Sequence, residues 1–392
     1  MANRLKVVHV GKYYPPHVGG IETHLQALCA GLKASHDVQV LVANDGRRDE
    51  DAIVDGVAIH RLGSQFQIAG APICPTMPWR IRRAGADIVH LHVPNPAGML
   101  AILASGYRGR LVVTWHSDIV RQRRLAKMFD PIQRRFLANC DALIATSPNY
   151  VESSPDLRRL RKRTVVIPYG IEAAEFCAPP AAAIAAVRRG RSTPILIAVG
   201  RMVYYKGFEY LVRAMARIDA TLMLVGDGPL RRPLERLARE LGVADRIEFL
   251  GEMQPREIVP YYHAADVFVL PSIERSEAFG IVQLEAMACG RPVVNTNLAS
   301  GVPFASLDGI TGVTVEPANV DALVSGINRL LADATLRTTY GEAARRRVQS
   351  EFTIAAMVER TRHLYEATMN GIGADSAPEL VSHRRREAAR GI

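Results

Sequence analysis

Ser276-Glu277-Ala278-Phe279-Gly280-Ile281-Val282-Gln283-Leu284-Glu285-Ala286-Met287-Ala288-Cys289-Gly290-Arg291-Pro292 reads as a short helix with both ends marked. Ile281, Leu284 and Ala288 fall on one helical face, Gly290 can cap the C-terminus, and Pro292 prevents continuation. Glu277 stands just before the helix and Glu285 two turns into it. The backbone N–H groups near Ala278–Gly280 lie at the positive end of the helix dipole and can hold phosphate oxygens. An anion-binding helix start flanked by two carboxylates is unusual for a purely structural helix. It makes sense if the carboxylates bind hydroxyls, one set on a sugar and one on a ribose.

Working outward, β-rich runs alternate with amphipathic stretches, the mark of a parallel α/β fold. Strands are expected at Ile195–Val199, Leu222–Val225, Ile247–Leu250, Val267–Leu270, Val293–Asn295 and Val313–Val315, with helices such as Phe208–Ile218 and Leu230–Leu241 between them. An earlier series runs Leu5–Val10, Val38–Ala43, Val57–Arg61, Asp87–Val93, Leu111–His116, Ala142–Thr146 and Val165–Pro168, with helices at Ile21–Lys33 and Arg121–Ala138. Glu172–Thr193, rich in Ala, Pro and Arg, reads as a linker with one short helix. The expectation is two doubly wound Rossmann-like domains, residues 1–180 and 181–350, with ligands in a cleft beyond the strand ends. A helix over 351–370 would pack back on the first domain, and 371–392 would be a mobile basic tail.

The 392 residues carry 49 Lys+Arg against 39 Asp+Glu, and residues 1–180 hold 23 against 15, so most of the excess charge lies in the first half. It could face anionic lipid, an anionic acceptor or nucleic acid. Residues 121–137 place Arg121, Arg123, Arg124, Lys127, Arg134 and Arg135 among apolar residues, a pattern that fits an anionic membrane surface or a core-facing helix with a solvated basic face. No RNA-binding aromatic motif, helix-turn-helix pattern or zinc spacing supports nucleic acid as a partner. No run approaches the ~20 apolar residues that span a bilayer. Five scattered cysteines without CxxC spacing point to a reducing cytoplasm. The expected location is therefore the cytoplasm, with peripheral attachment to the inner face of the plasma membrane. A nicotinamide dehydrogenase is disfavoured, because the turn Gly11–Gly20 lacks G-x-G-x-x-G.

Two further segments complete the candidate site. Gly200-Arg201-Met202-Val203-Tyr204-Tyr205-Lys206-Gly207 follows a strand, so Arg201 and Lys206 can meet a diphosphate whose charge grows as a sugar bond breaks. Val225-Gly226-Asp227-Gly228-Pro229-Leu230 permits close approach of backbone to ligand at Gly228. Together with Glu-x-Phe-Gly-x4-Glu and Met-Ala-Cys-Gly-x-Pro-Val-Val, these segments resemble the family 4 retaining glycosyltransferases, over most of residues 5–350.

That resemblance implies the GT-B fold, a nucleotide-sugar donor and no essential metal. By match, Arg201 and Lys206 would bind the diphosphate, Glu277 the donor-sugar hydroxyls and Glu285 the ribose, with Ala278, Phe279, Gly280 and Ile281 around the phosphates. Gly19-Gly20 resembles the family's glycine loop at the phosphates and acceptor, and His116 in Thr114-Trp115-His116-Ser117-Asp118 its histidine near the reacting sugar, so Gly19, Gly20 and Asp118 are expected among the nucleotide-sugar contacts. On the residues alone, His116 also reads as a structural histidine, Gly19-Gly20 as a helix-entry turn, Phe279 as packing and Asp118 as a support for His116 or a cap.

The implied reaction is front-side displacement with retention. A glycosidase is disfavoured, because eight helical residues separate Glu277 and Glu285 by about 12 Å at Cα, against the ~5–5.5 Å between carboxyl groups that a retaining hydrolase needs. Asp49-Glu50-Asp51 formally gives Asp-x-Asp but reads as a solvated charged loop, so no metal is expected. Asn295-Thr296-Asn297 and Ser300-Gly301-Val302-Pro303 look like members that use GDP-mannose, as in bacterial surface-polysaccharide synthesis; UDP-sugars remain the alternative. A nucleotide-binding Rossmann protein without transferase activity is the distant one.

Overall fold

The computed structural model describes residues 4–17, 19–68, 70–118, 123–191 and 193–372, apart from the side chains of 123–128. Arg121 and the tail beyond residue 372 lie outside the described residues, as do the side chains of Arg123, Arg124 and Lys127 in the basic stretch. The chain forms two compact units: residues up to Gly170 together with those from Ile354, and Ile171–Thr353.

The first unit carries β1 (Lys6–Val10), β2 (Asp37–Ala43), β3 (Glu50–Val54), β4 (Val57–Leu62), β5 (Phe66–Ile68), β6 (Ala71–Ile73), β7 (Ile88–Val93), β8 (Arg110–Trp115), β9 (Ala142–Ala145) and β10 (Thr164–Val166). Eight of them form a sheet in the order β10-β9-β8-β7-β1-β2-β4-β3, parallel throughout except at β3. Helices on both faces bury the central strands, so these read as unbroken apolar runs. β7 is buried at every position, yet it carries His90 and His92. The helix Ile354–Met369 packs on Gly20–Leu32, where a Cβ at Gly31 would lie 2.3 Å from Val358 Cγ2.

The second unit carries β11 (Ile195–Val199), β12 (Thr221–Val225), β13 (Ile247–Gly251), β14 (Val267–Val269), β15 (Val293–Thr296) and β16 (Gly312–Val315), in the parallel order β13-β12-β11-β14-β15-β16. This is the doubly wound order, whose direction of winding reverses between β11 and β14; in the first unit it reverses between β1 and β7. Ligands of such sheets bind beyond the carboxyl ends of the strands at these reversals.

Two expectations change. Asp49-Glu50-Asp51 is not a loop: Glu50–Val54 is an antiparallel edge strand, and its charged, alternating sequence suits a strand with one face in water. Glu172–Thr193 is part of the second unit, not a linker. The chain enters at Ile171, whose N–H donates to Phe352 O, and the helix Ala181–Arg188 packs on Pro255–Ala264. In the helix Ile281–Ala288 the buried positions are Gln283, Leu284, Ala286 and Met287, whereas Ile281 and Ala288 are half-buried. The side-chain amide of Gln283 is tolerated there because it bonds Phe279 O and Asn295.

Candidate active site

Beyond β11 the chain turns through Gly200 into a single 3₁₀ turn, Tyr204–Lys206. Gly207, at φ 67, ends it, and a Cβ there would lie 2.0 Å from Pro271 O. The absence of that side chain lets the turn press against the exit of β14. As a result Lys206 Nζ lies 2.6 Å from Glu277 Oε2, and Ser272 Oγ donates to the same oxygen at 3.0 Å. Lys206 and Glu277 are only 9% and 7% exposed, so this ion pair is largely removed from water. Burial alone would lower the Lys206 pKa, but the Glu277 carboxylate outweighs it and holds the group above the usual lysine value. Arg201 is exposed and forms no ion pair among the described residues.

Glu285 accepts a 2.7 Å hydrogen bond from Tyr262, which orients the carboxylate. Burial raises the Glu285 pKa; the Tyr262 bond and the Lys206 charge act against that rise. The helix Ile281–Ala288 begins at Gly280, at φ 73, where a Cβ would lie 2.5 Å from Leu270 Cδ2. The N–H groups of Ala278 and Gly280 have no acceptor among the described residues. Phe279 is buried in an aromatic cluster with Phe304 and Phe352, a packing role. Gly228 sits where a Cβ would lie 2.6 Å from Met202 O, so its small size serves the packing of this loop on the Gly200–Met202 turn. Asn295 is also structural: its amide donates to Gln283, Val302 O and Ser306 O and accepts from Thr314.

In the first unit, Gly19 precedes the helix Gly20–Leu32 in extended backbone, and Gly20 is exposed at its first position. His116 follows β8 and is 1% exposed. Both its ring nitrogens are engaged, Nδ1 with Tyr169 OH at 2.6 Å and Nε2 with His92 Nδ1 at 2.9 Å. Asp118 accepts from Trp115 Nε1 at 2.9 Å and from Ser154 at 3.3 Å. A cavity of about 320 Å³ opens beside it, lined among others by Trp115, Asp118, Phe129, Gln133, Arg134 and Asp156. Aromatic rings and hydrogen-bonding side chains in one concavity suit a polyhydroxylated ligand.

Sequence reasoning placed Lys206, Glu277 and Glu285 in one candidate site but missed Ser272 and Tyr262, which orient the carboxylates. It also missed the histidines behind His116. A His-x-His at 90 and 92 inside an apolar strand was the available signal.

The family model described as Glycosyltransferase Family 4 matches residues 18–175, and that described as Glycosyl transferases group 1 matches 183–347. An O-antigen chain mannosyltransferase of Escherichia coli is 34% identical over 367 residues, covering 92% of this chain and 98% of that protein. A GDP-mannose-dependent phosphatidylinositol monomannoside mannosyltransferase of Mycolicibacterium smegmatis is 30% identical, covering 85% and 91%. Among solved structures, sucrose-phosphate synthase of Thermosynechococcus elongatus superposes with a TM-score of 0.78 at 27% identity, over 93% of this chain and 98% of that one. With two Rossmann-like units and this likeness along nearly its whole length, the chain belongs to the family 4 (group 1) glycosyltransferases of GT-B fold and is a hexosyltransferase.

Proposed function

We propose that the enzyme moves a hexose from a nucleoside diphosphate sugar, with a GDP-mannose-type donor favoured, to a glycan or lipid-linked acceptor in bacterial surface polysaccharide or glycolipid synthesis, with retention at the anomeric carbon. The buried Lys206–Glu277 pair at the reversal between β11 and β14 carries this reading. A cation desolvated beside a carboxylate is held in place before the donor arrives and needs no reorganisation when the leaving group gains charge. Lys206 and Arg201 meet the diphosphate, with the N–H groups around Ala278–Ile281 sharing its charge. Glu277 takes sugar hydroxyls and Glu285 the ribose. The mannosyltransferase relatives support the donor class.

In the transfer step the anomeric carbon–phosphate oxygen bond breaks while a bond to the acceptor oxygen forms on the same face. The acceptor's proton passes to a phosphate oxygen of the departing diphosphate. Gly19, Gly20, His116 and Asp118 belong to the acceptor-side unit, and the cavity beside Asp118 is the place for an acceptor sugar. The leaving-group charge is met by cations and backbone donors of the protein, so the reading includes no metal. Asp49, just before the edge strand, and Asp51, on it, pair with Arg80 and His60.

A thermal-shift panel of UDP, GDP, ADP and NAD is the first experiment. Stabilisation by GDP above the others supports the reading, a UDP preference moves the donor to UDP-sugars, and a response to NAD alone overturns it. Anomer analysis of the product by NMR tests retention, which an inverted product refutes. Activity lost in EDTA and restored by manganese would overturn the metal-free step.

A further inference from the structure

His9 on β1 pairs in register with His90 on β7, and His92 lies two residues further along the same strand face. With His116 beyond β8 they form a continuous polar row in a face that otherwise packs apolar side chains. Its links are short: Tyr169 OH to His116 Nδ1 is 2.6 Å, His116 Nε2 to His92 Nδ1 2.9 Å, and His92 Nε2 to His9 Nδ1 3.0 Å. His9 Nε2 then meets Tyr365 OH at 3.4 Å, and Tyr365 OH meets His90 Nδ1 at 2.6 Å; His90 Nε2 ends the row on Thr114 at 2.6 Å. Burial holds the four imidazoles neutral, His9 with a pKa lowered to about 3 and the others well below the usual value.

A proton count constrains this row. A neutral imidazole or a phenol brings one polar hydrogen. Each interior imidazole takes part in two links, so it donates in one and accepts in the other; the Tyr365 hydroxyl follows the same sense because its one hydrogen has no acceptor outside the row among the described residues. If His116 donates from Nε2, His92 accepts at Nδ1 and donates from Nε2, and the same sense runs to Thr114. If His116 donates from Nδ1, every sense reverses. The geometry points to a single-sense hydrogen-bonded chain in which the tautomer of His116 is set by remote members, making His92, His9 and Tyr365 positioning residues for the transfer site. Its bearing on sugar transfer rests on the placement of His116 proposed above, whereas the tautomer claim does not.

Metal binding is the competing use of these rings, since one nitrogen each of His24, His92 and His116, and of His9, His90 and His92, fall within 4.8 Å of one another. The facing nitrogens of His92 and His116 are directed at each other, however, and His92 has both nitrogens engaged in the row. Of these rings, His24 has both nitrogens buried without a partner among the described residues, as does His36 outside the two groups.

The test uses the full-length protein labelled with 15N-histidine, without donor or acceptor. The expected spectrum has His9, His92 and His116 neutral at pH 7.5 and all of one tautomer, either all Nε2–H or all Nδ1–H. Imidazolium signals or mixed tautomers among the three would overturn the inference, as would a stoichiometric transition metal in the purified protein by elemental mass spectrometry. Tyr365→Phe removes the hydroxyl joining His9 to His90. It should let both tautomers of His116 populate and lower kcat three- to tenfold at unchanged donor KM. An unaltered His116 signal in a folded Tyr365→Phe protein also refutes the inference, and should that variant not fold, the wild-type spectrum still decides. Failure of the nucleotide-binding reading would show instead as a silent thermal-shift panel with these spectra intact.

Discussion

Lys206 stands against a carboxylate with little water to screen either charge, so removing one partner strands the other. Glu277→Gln should therefore cost both sugar binding and stability, and its melting temperature should fall while Glu285→Gln, at the half-buried end of the site, melts nearly as the wild type. Glu285→Gln is expected to raise donor KM about tenfold with kcat little changed, the signature of a contact made equally in ground and transition states. Steady-state kinetics with varied donor check this; a fall in kcat alone would move Glu285 out of the ribose role. Arg201→Ala combined with Lys206→Ala should lower kcat/KM at least about a hundredfold, roughly 2.7 kcal/mol of transition-state stabilisation. Full activity in the double variant would remove the basis of the proposed chemistry. The carboxylates and cations were legible because charged residues at strand ends stand out from apolar runs. The orienting partners Ser272 and Tyr262 were not, since a serine in a loop and a tyrosine on the helix Pro255–Ala264 carry no local mark of what they will touch.

At the level of elements, Gly228 shows how a loop glycine can serve the backbone beside it. At φ 155, with Met202 O 2.6 Å from any added Cβ, Gly228→Ala should destabilise the second unit by about 1–3 kcal/mol. Differential scanning calorimetry would register a drop of several degrees, and an unchanged melting temperature would contradict the packing account. The helix Arg123–Ala138 buries Phe136 and Leu137 and exposes Ile132, Arg134 and Arg135, although Arg134 pairs with Asp130. If its basic face meets anionic lipid, Arg134→Glu with Arg135→Glu should reduce cosedimentation with phosphatidylglycerol vesicles severalfold and leave neutral vesicles unaffected. Equal sedimentation would assign these arginines to solvent. Parallel strands could be read from the sequence because burial on both faces makes them uniformly apolar, as in β11 and β12. β3 could not, because an edge strand in water is written in the same residues as a loop. The burial of Gln283 could not be read from the helix, because its amide finds its partners across the second unit, beyond any helical periodicity.

For the molecule as a whole, acid should act through the buried histidines of the first unit. His9 and His24 have folded-state pKa values lowered to about 3 by burial, below the ~6.5 of an unfolded histidine. Between these values the unfolded chain binds more protons, so stability falls as pH drops from about 6.5 toward 3, and no such loss occurs above 6.5. Each such imidazole contributes up to about 1.4 kcal/mol per pH unit within that window. Urea midpoints at pH 7.5 and pH 5 should differ markedly, and a flat profile would mean that the rings are solvated. The two-unit α/β plan was legible in the alternation of strands and helices. The entry at Ile171 was not, because the bond that fixes it is made with Phe352, 181 positions later. The return of the chain at Ile354 has a temporal consequence. The helix Ile354–Met369 supplies Tyr365 and covers Gly20–Leu32, so the first-made part of the polypeptide waits for the last-made part before its core can close. At ~5–20 residues per second the ribosome needs roughly 10–40 s to deliver the intervening stretch. The second unit can therefore be folded while the first is still incomplete, which makes the nascent amino-terminal sheet a natural client of a chaperone.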